Sequence, residues 1–210
     1  PTDPSLGTTA RGAACCSSAS SLSFQKYSAE KLFQLAVSDE SPSLPFSTGS
    51  AKCIGIELAL PFQPNALEFL TYREGFFVPT ATVFVPTFDF LDASYQTLAT
   101  VEPRVYQDTD RLSQKKGFMQ AYYGAALVPP SAKYVLVYTN AQKLDTHGVQ
   151  IIQGGGLEAA YILSRDREFY ARLSRKDFAS GRVNPPSTNP GTRTISRSRL
   201  GAIAIVFGRD

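Results

Sequence analysis

The sequence predicts a mainly β protein, built as a single β-sandwich with jelly-roll-like topology. Fourteen Phe and ten Tyr stand against one Met and no Trp, and 15 Gly and 14 Pro are spread along the 210 residues. This composition favours short strands and turns over long helices. With 43% hydrophobic and 19% charged residues, the chain can bury a full core without a metal or a dense disulfide framework.

The strand predictions rest on alternation and on the residues that bound each run. In Lys52–Leu60 the side chains of Ile54, Ile56, Leu58 and Leu60 share one face, which is typical of a strand with one wet side. Lys133–Tyr138 is apolar on both faces, as a central strand would be. The other β-rich runs, each bounded by Pro, Gly or Asn, are Leu67–Tyr72, Thr82–Phe90, Phe118–Leu127 and Ala202–Phe207.

Three segments depart from the strand pattern. Residues 1–23 are rich in Ser, Thr, Ala and Gly, and predict a flexible N-terminal arm ahead of one domain that covers residues 24–210. A short helix is predicted from the N-cap Ser28 through Ala36, because its apolar residues recur at helical spacing. The same spacing after Gly154–Gly156 predicts a small helical insertion over about residues 157–178.

The cysteines and the chain start bear on the compartment. The only methionine is Met119, so a chain that opens at Pro1 has been processed or lacks its start, and a removed signal peptide is expected. A Cys15–Cys16 bond would be strained, which leaves Cys53 as the natural partner of Cys15 or Cys16. That disulfide would contribute roughly 4 kcal/mol and suits an oxidising compartment. The alternative is three reduced, buried thiols.

Charge and residue counts limit the function classes. The net charge of +3 is too small to predict a nucleic-acid partner, and the single histidine, His147, leaves most zinc sites and Ser-His-Asp devices without a ligand or base. No apolar run approaches the ~20 residues of a transmembrane segment. No metal or cofactor is predicted. A lipid anchor at Cys15 stays open, although no apolar stretch precedes it.

Several local patterns occur in one order along the chain, and that order is similar to a known family. They are Cys15-Cys16-Ser17-Ser18, Ser41-Pro42-Ser43-Leu44-Pro45-Phe46, Glu57-Leu58-Ala59-Leu60-Pro61, Val83-Phe84-Val85-Pro86 with Phe90-Leu91-Asp92, and Tyr134-Val135-Leu136-Val137-Tyr138-Thr139. The chain resembles the maltose operon periplasmic protein (MalM) family from Cys15 to Phe207. The resemblance implies a non-enzymatic, exported protein of the Gram-negative periplasm or envelope, associated with carbohydrate uptake, with no catalytic residues to carry over.

Two groups of residues are candidate binding sites. Sugar sites place aromatic rings against pyranose C–H faces and surround them with polar groups. The candidate ligand residues, for which core packing is the alternative, are Tyr106, Tyr122, Tyr123, Gln120 and Asp108. In an extended chain Arg193, Arg197 and Arg199 share one face, which would suit a polyanion or an acidic envelope partner; solvated edge-strand charges are the alternative.

Other motifs support catalysis poorly. Gly154–Gly156 with Asp177 fits a dinucleotide fingerprint but lacks repeating strand-helix units, and Asp89 and Asp92 would face opposite sides of a strand. Asp108 with Asp110 and the turn-like His147 are better explained as solvated turns. A carbohydrate-active or metal-dependent hydrolase remains the alternative to a binding protein.

Overall fold

The computed structural model describes residues 16–27, 33–60, 62–74, 81–107, 121–144, 149–153 and 192–208. These ranges contain fourteen strands and two short 3₁₀ turns, Ala19–Ser21 and Ala141–Lys143, and no longer helix. The mainly β prediction is therefore confirmed. The strands are β1 (Phe24–Lys26), β2 (Phe33–Val37), β3 (Ser43–Phe46), β4 (Gly49–Glu57), β5 (Ala66–Glu74), β6 (Thr82–Phe84), β7 (Thr87–Leu91), β8 (Thr97–Val101), β9 (Val105–Gln107), β10 (Ala121–Leu127), β11 (Tyr134–Tyr138), β12 (Val149–Gln153), β13 (Thr192–Ser198) and β14 (Gly201–Gly208).

The first sheet has the strand order β1-β4-β11-β7-β8, and β3 also pairs with β4. Its centre is β11, which is antiparallel to both β4 and β7. Val135 and Val137 of β11 point into the main core, while Leu136 and Tyr138 pack on the opposite face. Both faces of β11 are thus covered, as its apolar sequence predicts.

The second sheet has the order β10-β9-β12-β13-β6-β5-β14-β2, and β10 also pairs with β5. This extra pairing closes β5, β6, β13, β12, β9 and β10 into a ring of six strands. Most neighbours in the two sheets are antiparallel; the parallel pairs are β1 with β4, β9 with β12, and β6 with β13.

Three hydrophobic clusters hold these layers together. The main core joins the two sheets, an arrangement consistent with a β-sandwich; it includes Ile54, Ile56, Phe88, Phe90, Val135 and Val137 from the first sheet, and Leu35, Val37, Leu67, Phe69, Ile203, Ile205 and Phe207 from the second. The second cluster draws on four strands of the ring and forms its interior; it contains Ala81, Val83, Val85, Val105, Tyr122 and Ile195. The third covers the outer face of the first sheet.

The third cluster changes the expected boundary of the N-terminal arm. Cys16 and Leu22 are buried against that outer face, beside Leu44, Cys53 and Tyr138. The docked part of the chain therefore reaches back at least to Cys16, ahead of the predicted start at residue 24. Residues 1–15 lie outside the described ranges.

The predicted N-terminal helix is wrong over Phe33–Ala36, which belong to strand β2. Leu35 and Val37 are buried while Gln34 and Ala36 are exposed, and β2 pairs antiparallel with β14. Only a few apolar residues gave this segment its helical spacing, so strand pairing with β14 outweighed the local preference for a helix.

The predicted strand Thr82–Phe90 is divided into β6 and β7 at Val85-Pro86, because proline cannot donate to a strand ladder. The predicted insertion at 157–178 lies outside the described residues.

Two glycines permit close approaches between layers. A Cβ atom at Gly124 of β10 would lie 2.6 Å from the carbonyl oxygen of Arg104 and 2.6 Å from the ring of Phe69. A Cβ atom at Gly55 of β4 would lie 2.6 Å from the ring of Phe24. A backbone oxygen and a fully buried ring cannot move away easily, whereas Phe24 is only half-buried.

Candidate functional site

A pocket of about 350 Å³, lined by both polar and apolar side chains, opens at one end of the two sheets. The β2–β3 turn, the β3–β4 hairpin, the end of β11 with the following 3₁₀ turn, and the β13–β14 turn all contribute to it. Its lining residues are Asp39, Ser43, Ser50, Ala51, Lys52, Thr139, Ala141, Leu144, Arg199 and Leu200. These segments are far apart in sequence, so the pocket exists only in the folded chain.

Hydroxyl groups fix the shape of the pocket. The Oγ atoms of Ser43 and Ser50 lie 2.9 Å apart, across the β3–β4 hairpin. The hydroxyl of Thr139 donates to the carbonyl oxygen of Ser198 at 3.3 Å, which ties the end of β11 to the end of β13. The Ser198 Oγ in turn accepts from the backbone N–H of Leu200 at 3.3 Å and shapes the β13–β14 turn.

Among the described residues that line the pocket, three are charged: Asp39, Lys52 and Arg199. Within the described part of the chain, none of them forms an ion pair with another residue. Lys52 occupies the strand row that continues into the buried Ile54 and Ile56, so the apolar row of β4 ends in a cation at the pocket. The pocket thus offers uncompensated charges beside hydroxyls.

An ion-paired triad lies beside two of the segments that form the pocket. The carboxylate of Glu102 accepts from Nη2 of Arg197 at 2.6 Å and pairs with Nζ of Lys143 at 3.0 Å. Lys143 is in the 3₁₀ turn and Arg197 is in β13, so Glu102 connects both. Burial acts to raise the pKa of Glu102, but the hydrogen bonds and charges of Lys143 and Arg197 outweigh it and lower the pKa below its usual value.

The exposures within this triad are unequal. The side chains of Arg197, Glu102 and Lys143 are 9%, 18% and 51% exposed. The Nε and Nη1 atoms of Arg197 are buried, and no described residue forms a hydrogen bond with them. Glu102 is therefore the group that compensates a buried guanidinium.

The predicted arginine stripe is not continuous on the surface. Arg197 is buried against Glu102, because the strand row that carries it also carries the core residue Ile195. Arg199 follows the end of β13 and lines the pocket. Arg193 pairs in register with Ile151 on β12. The structure therefore separates Arg199, as a pocket residue, from Arg197, as a buried ion-pair residue.

The predicted aromatic ligand residues lie in the strand ring, apart from the pocket. Tyr122 is 1% exposed and packs in the ring interior, which makes it a core residue rather than a surface for a sugar. Tyr123 and Tyr106 are register partners on β10 and β9. Gln120 and Asp108 lie outside the described residues.

The predicted disulfide is absent. Cys53 carries a free thiol, buried in the middle of β4 opposite Tyr138. Burial, together with the nearby charge of Asp89, raises the pKa of Cys53 to about 12. Cys16 belongs to the same cluster, but Cys53 is not bonded to it, and Cys15 lies outside the described residues.

The acidic residues of β7 do not converge on one point. Asp89 is buried, and its carboxylate accepts from the hydroxyl of Tyr138 at 3.2 Å. Burial raises the pKa of Asp89 despite that bond and another from Thr100. Asp92 instead accepts from the backbone N–H groups of Ser94 and Gln96 in the β7–β8 turn. Both residues have structural roles here.

A further carboxyl group is buried on β5. Glu68 is 6% exposed, and its Oε1 atom has no hydrogen-bond partner in the described part of the chain. Burial raises the pKa of Glu68 to about 8. The group is therefore largely protonated at neutral pH.

Several sequence candidates fall outside the described residues: His147, Asp108 with Asp110, and Gly154–Gly156 with Asp177. Among the residues that are described, no three His, Cys, Asp or Glu side chains form a metal-binding group. The same ranges hold no helical segment with the length and hydropathy that a membrane crossing requires.

Sequence reasoning missed most of the pocket residues. The signal that could have identified Lys52 is its position, because it is a charged residue that begins the row of alternating apolar residues on one face of the strand. Asp39, Ser43, Ser50 and Thr139 lie at turns or strand ends, where composition carries no signal for a ligand.

Comparisons with known proteins return no relative: no family model, no curated protein and no solved structure matches the chain.

Proposed function

We propose that this is a non-enzymatic binding protein whose pocket takes a small sugar or the end of a glycan. The observation that carries the proposal is the lining of the pocket, where hydroxyls and uncompensated charges surround a space of about 350 Å³. This volume is within the range of small-molecule sites.

The chemistry of the lining suits a polyhydroxylated ligand. Each sugar hydroxyl both donates and accepts, so it can bind the Asp39 carboxylate, a serine hydroxyl or the Arg199 guanidinium. The apolar side chains of Ala51, Leu144 and Leu200 offer contacts for sugar C–H groups. Small ligands are commonly held in this way, by a few placed polar groups beside apolar surface.

The absence of a catalytic role belongs to the same proposal. Glycoside hydrolysis uses two carboxyl groups roughly 5 to 9.5 Å apart. Among the described residues that line the pocket, Asp39 is the only carboxylate. A hydrolase is the rival function, and it would release cleaved sugar products, which a binding protein would not.

The location and the wider role rest on the resemblance to the MalM family. We propose an exported protein of the Gram-negative periplasm or envelope, with its signal peptide removed, that supports carbohydrate uptake of the maltose or maltodextrin type. The jelly-roll-like strand topology is part of this proposal.

Titration calorimetry tests the pocket. The full chain is titrated with maltose, maltotriose and acidic sugars, and each mixture is then analysed for products by mass spectrometry. Asp39→Asn and Ser50→Ala should weaken the binding at least about tenfold, because each removes a hydrogen bond to the sugar, one of them charged. The matched control is Glu40→Gln, at the exposed neighbour of Asp39 that does not line the pocket.

The outcomes separate the alternatives. Heat without cleavage that is lost in the pocket variants would support the proposal, whereas cleaved products would establish the hydrolase. No heat with any sugar would overturn sugar binding and leave an envelope protein as the partner, to be sought by pull-down.

A further inference from the structure

We propose that the pocket selects acidic sugars, which carry a carboxylate or a phosphate group, over neutral sugars of the same size. This inference rests on the proposed function, because it specifies the ligand class of the same pocket. It differs from the neutral maltodextrins that the MalM resemblance implies.

The first observation is the position of Lys52. Its row on β4 faces the main core at Ile54 and Ile56, where a charge would be costly to bury. At the pocket the same row presents Lys52, a half-buried residue with no carboxylate partner among the described residues. A bound anion would supply the missing countercharge.

The second observation is the contrast between Arg197 and Arg199. The Glu102 carboxylate compensates Arg197 and Lys143. Arg199, two residues after Arg197, lines the pocket and has no ion-pair partner in the described chain. The guanidinium of Arg199 is therefore available to bind a carboxylate or phosphate group, with which arginine forms paired hydrogen bonds.

The third observation is the charge balance of the lining. Among the described lining residues, Lys52 and Arg199 are two cations and Asp39 is the one carboxylate. A neutral sugar would leave the excess positive charge uncompensated, whereas an acidic sugar neutralises it and still offers hydroxyls to Asp39. The pocket would thus bind both the acidic group and the hydroxyl groups of such a ligand.

The test compares matched ligands by titration calorimetry: glucose, glucuronate, glucose 6-phosphate and inorganic phosphate. At least one of the two acidic sugars should bind about tenfold or more tightly than glucose, and this preference should shrink as NaCl is raised. The two acidic arms show whether carboxylate or phosphate is preferred. Inorganic phosphate should bind more weakly than the preferred sugar, because it lacks the hydroxyls.

Variants locate the selectivity. Lys52→Met and Arg199→Met should each weaken the binding of acidic sugars more than the binding of glucose, and so reduce the acidic-to-neutral ratio of affinities several-fold. Lys133→Met and Arg104→Met are the matched controls, since both residues are exposed and outside the pocket; they should leave the ratio unchanged.

Each contrary result has a distinct meaning. Glucose binding as tightly as the acidic sugars would overturn the selectivity and leave the proposed function intact. Phosphate binding as tightly as glucose 6-phosphate would overturn the sugar part of the inference. No binding by any of these ligands would overturn both the inference and sugar binding at this pocket.

Discussion

Replacing Glu102 by glutamine tests whether the buried guanidinium of Arg197 depends on a single carboxylate. Nη2 of Arg197 lies 2.6 Å from the carboxylate of Glu102, and Nε and Nη1 of Arg197 have no hydrogen-bond partner among the described residues. In Glu102→Gln the arginine stays buried without its countercharge. Removing one partner of a buried pair typically costs 3–5 kcal/mol, and because Glu102 is partly exposed we expect about 3 kcal/mol.

Replacing Arg197 instead of Glu102 should cost less stability. In Arg197→Met the carboxylate of Glu102 keeps Lys143 at 3.0 Å and its remaining access to water. We therefore expect a loss of about 1 kcal/mol for Arg197→Met, and no more than that for Lys143→Met, because the side chain of Lys143 is itself half-exposed. The double variant Glu102→Gln/Arg197→Met should be more stable than Glu102→Gln alone, since no unpaired buried charge remains.

Urea unfolding followed by circular dichroism gives these free energies directly. For a chain of this length, 3 kcal/mol corresponds to a fall in Tm of about 6–12 °C. An Arg197→Met variant that is destabilised as much as Glu102→Gln would refute the reasoning, because the cost would then come from packing rather than from the unpaired charge.

The same pair predicts a pH dependence. The folded-state pKa of Glu102 is lowered, so its contribution is fully present above the ordinary glutamate value of about 4.3. It is lost as the pH falls through the lower folded-state pKa. The stability difference between wild type and Glu102→Gln should therefore shrink in acid; a difference that stays constant down to pH 2 would contradict the assignment.

Three further predictions concern other buried positions. The pKa of Glu68 is raised from 4.5 to about 8, so the stability of the wild type should decline as the pH rises between these values. At pH 7, Glu68→Gln should have a free energy of unfolding higher than the wild type by on the order of 3 kcal/mol. A variant that is no more stable than the wild type in urea unfolding would contradict this prediction. Gly124→Ala should lose about 2 kcal/mol of stability, because the added Cβ atom would clash with the backbone, whereas Gly55→Ala should lose about 1 kcal/mol or less in the same assay. Equal losses in the two variants would argue against this clash. Cys53 should resist a thiol reagent at pH 8 in the native protein and react after denaturation, as peptide mass spectrometry can show; rapid native labelling would place the thiol at the surface.

Much of the strand content follows from sequence alone, for a local reason. Side chains of a strand alternate between its two faces, so the apolar row Ile54, Ile56 and Leu58 marks β4 without knowledge of its neighbours. The apolar run Tyr134–Tyr138 likewise identifies β11 as a central strand. By the same logic, the position of Lys52 at the end of an apolar row is visible before the structure is known.

Tertiary structure decided which of these faces meet and where the polar groups gather. Pairing with β14 turned Phe33–Val37 from a predicted helix into a strand, because backbone pairing and burial outweigh a weak local preference. Ring closure placed Tyr122 in a core, and the position of Glu102 made Arg197 a buried ion-pair residue. The pocket depends on strand order in the same way: Asp39, Lys52 and Arg199 become neighbours only because the sheets bring distant turns to one end, and no local periodicity encodes that proximity.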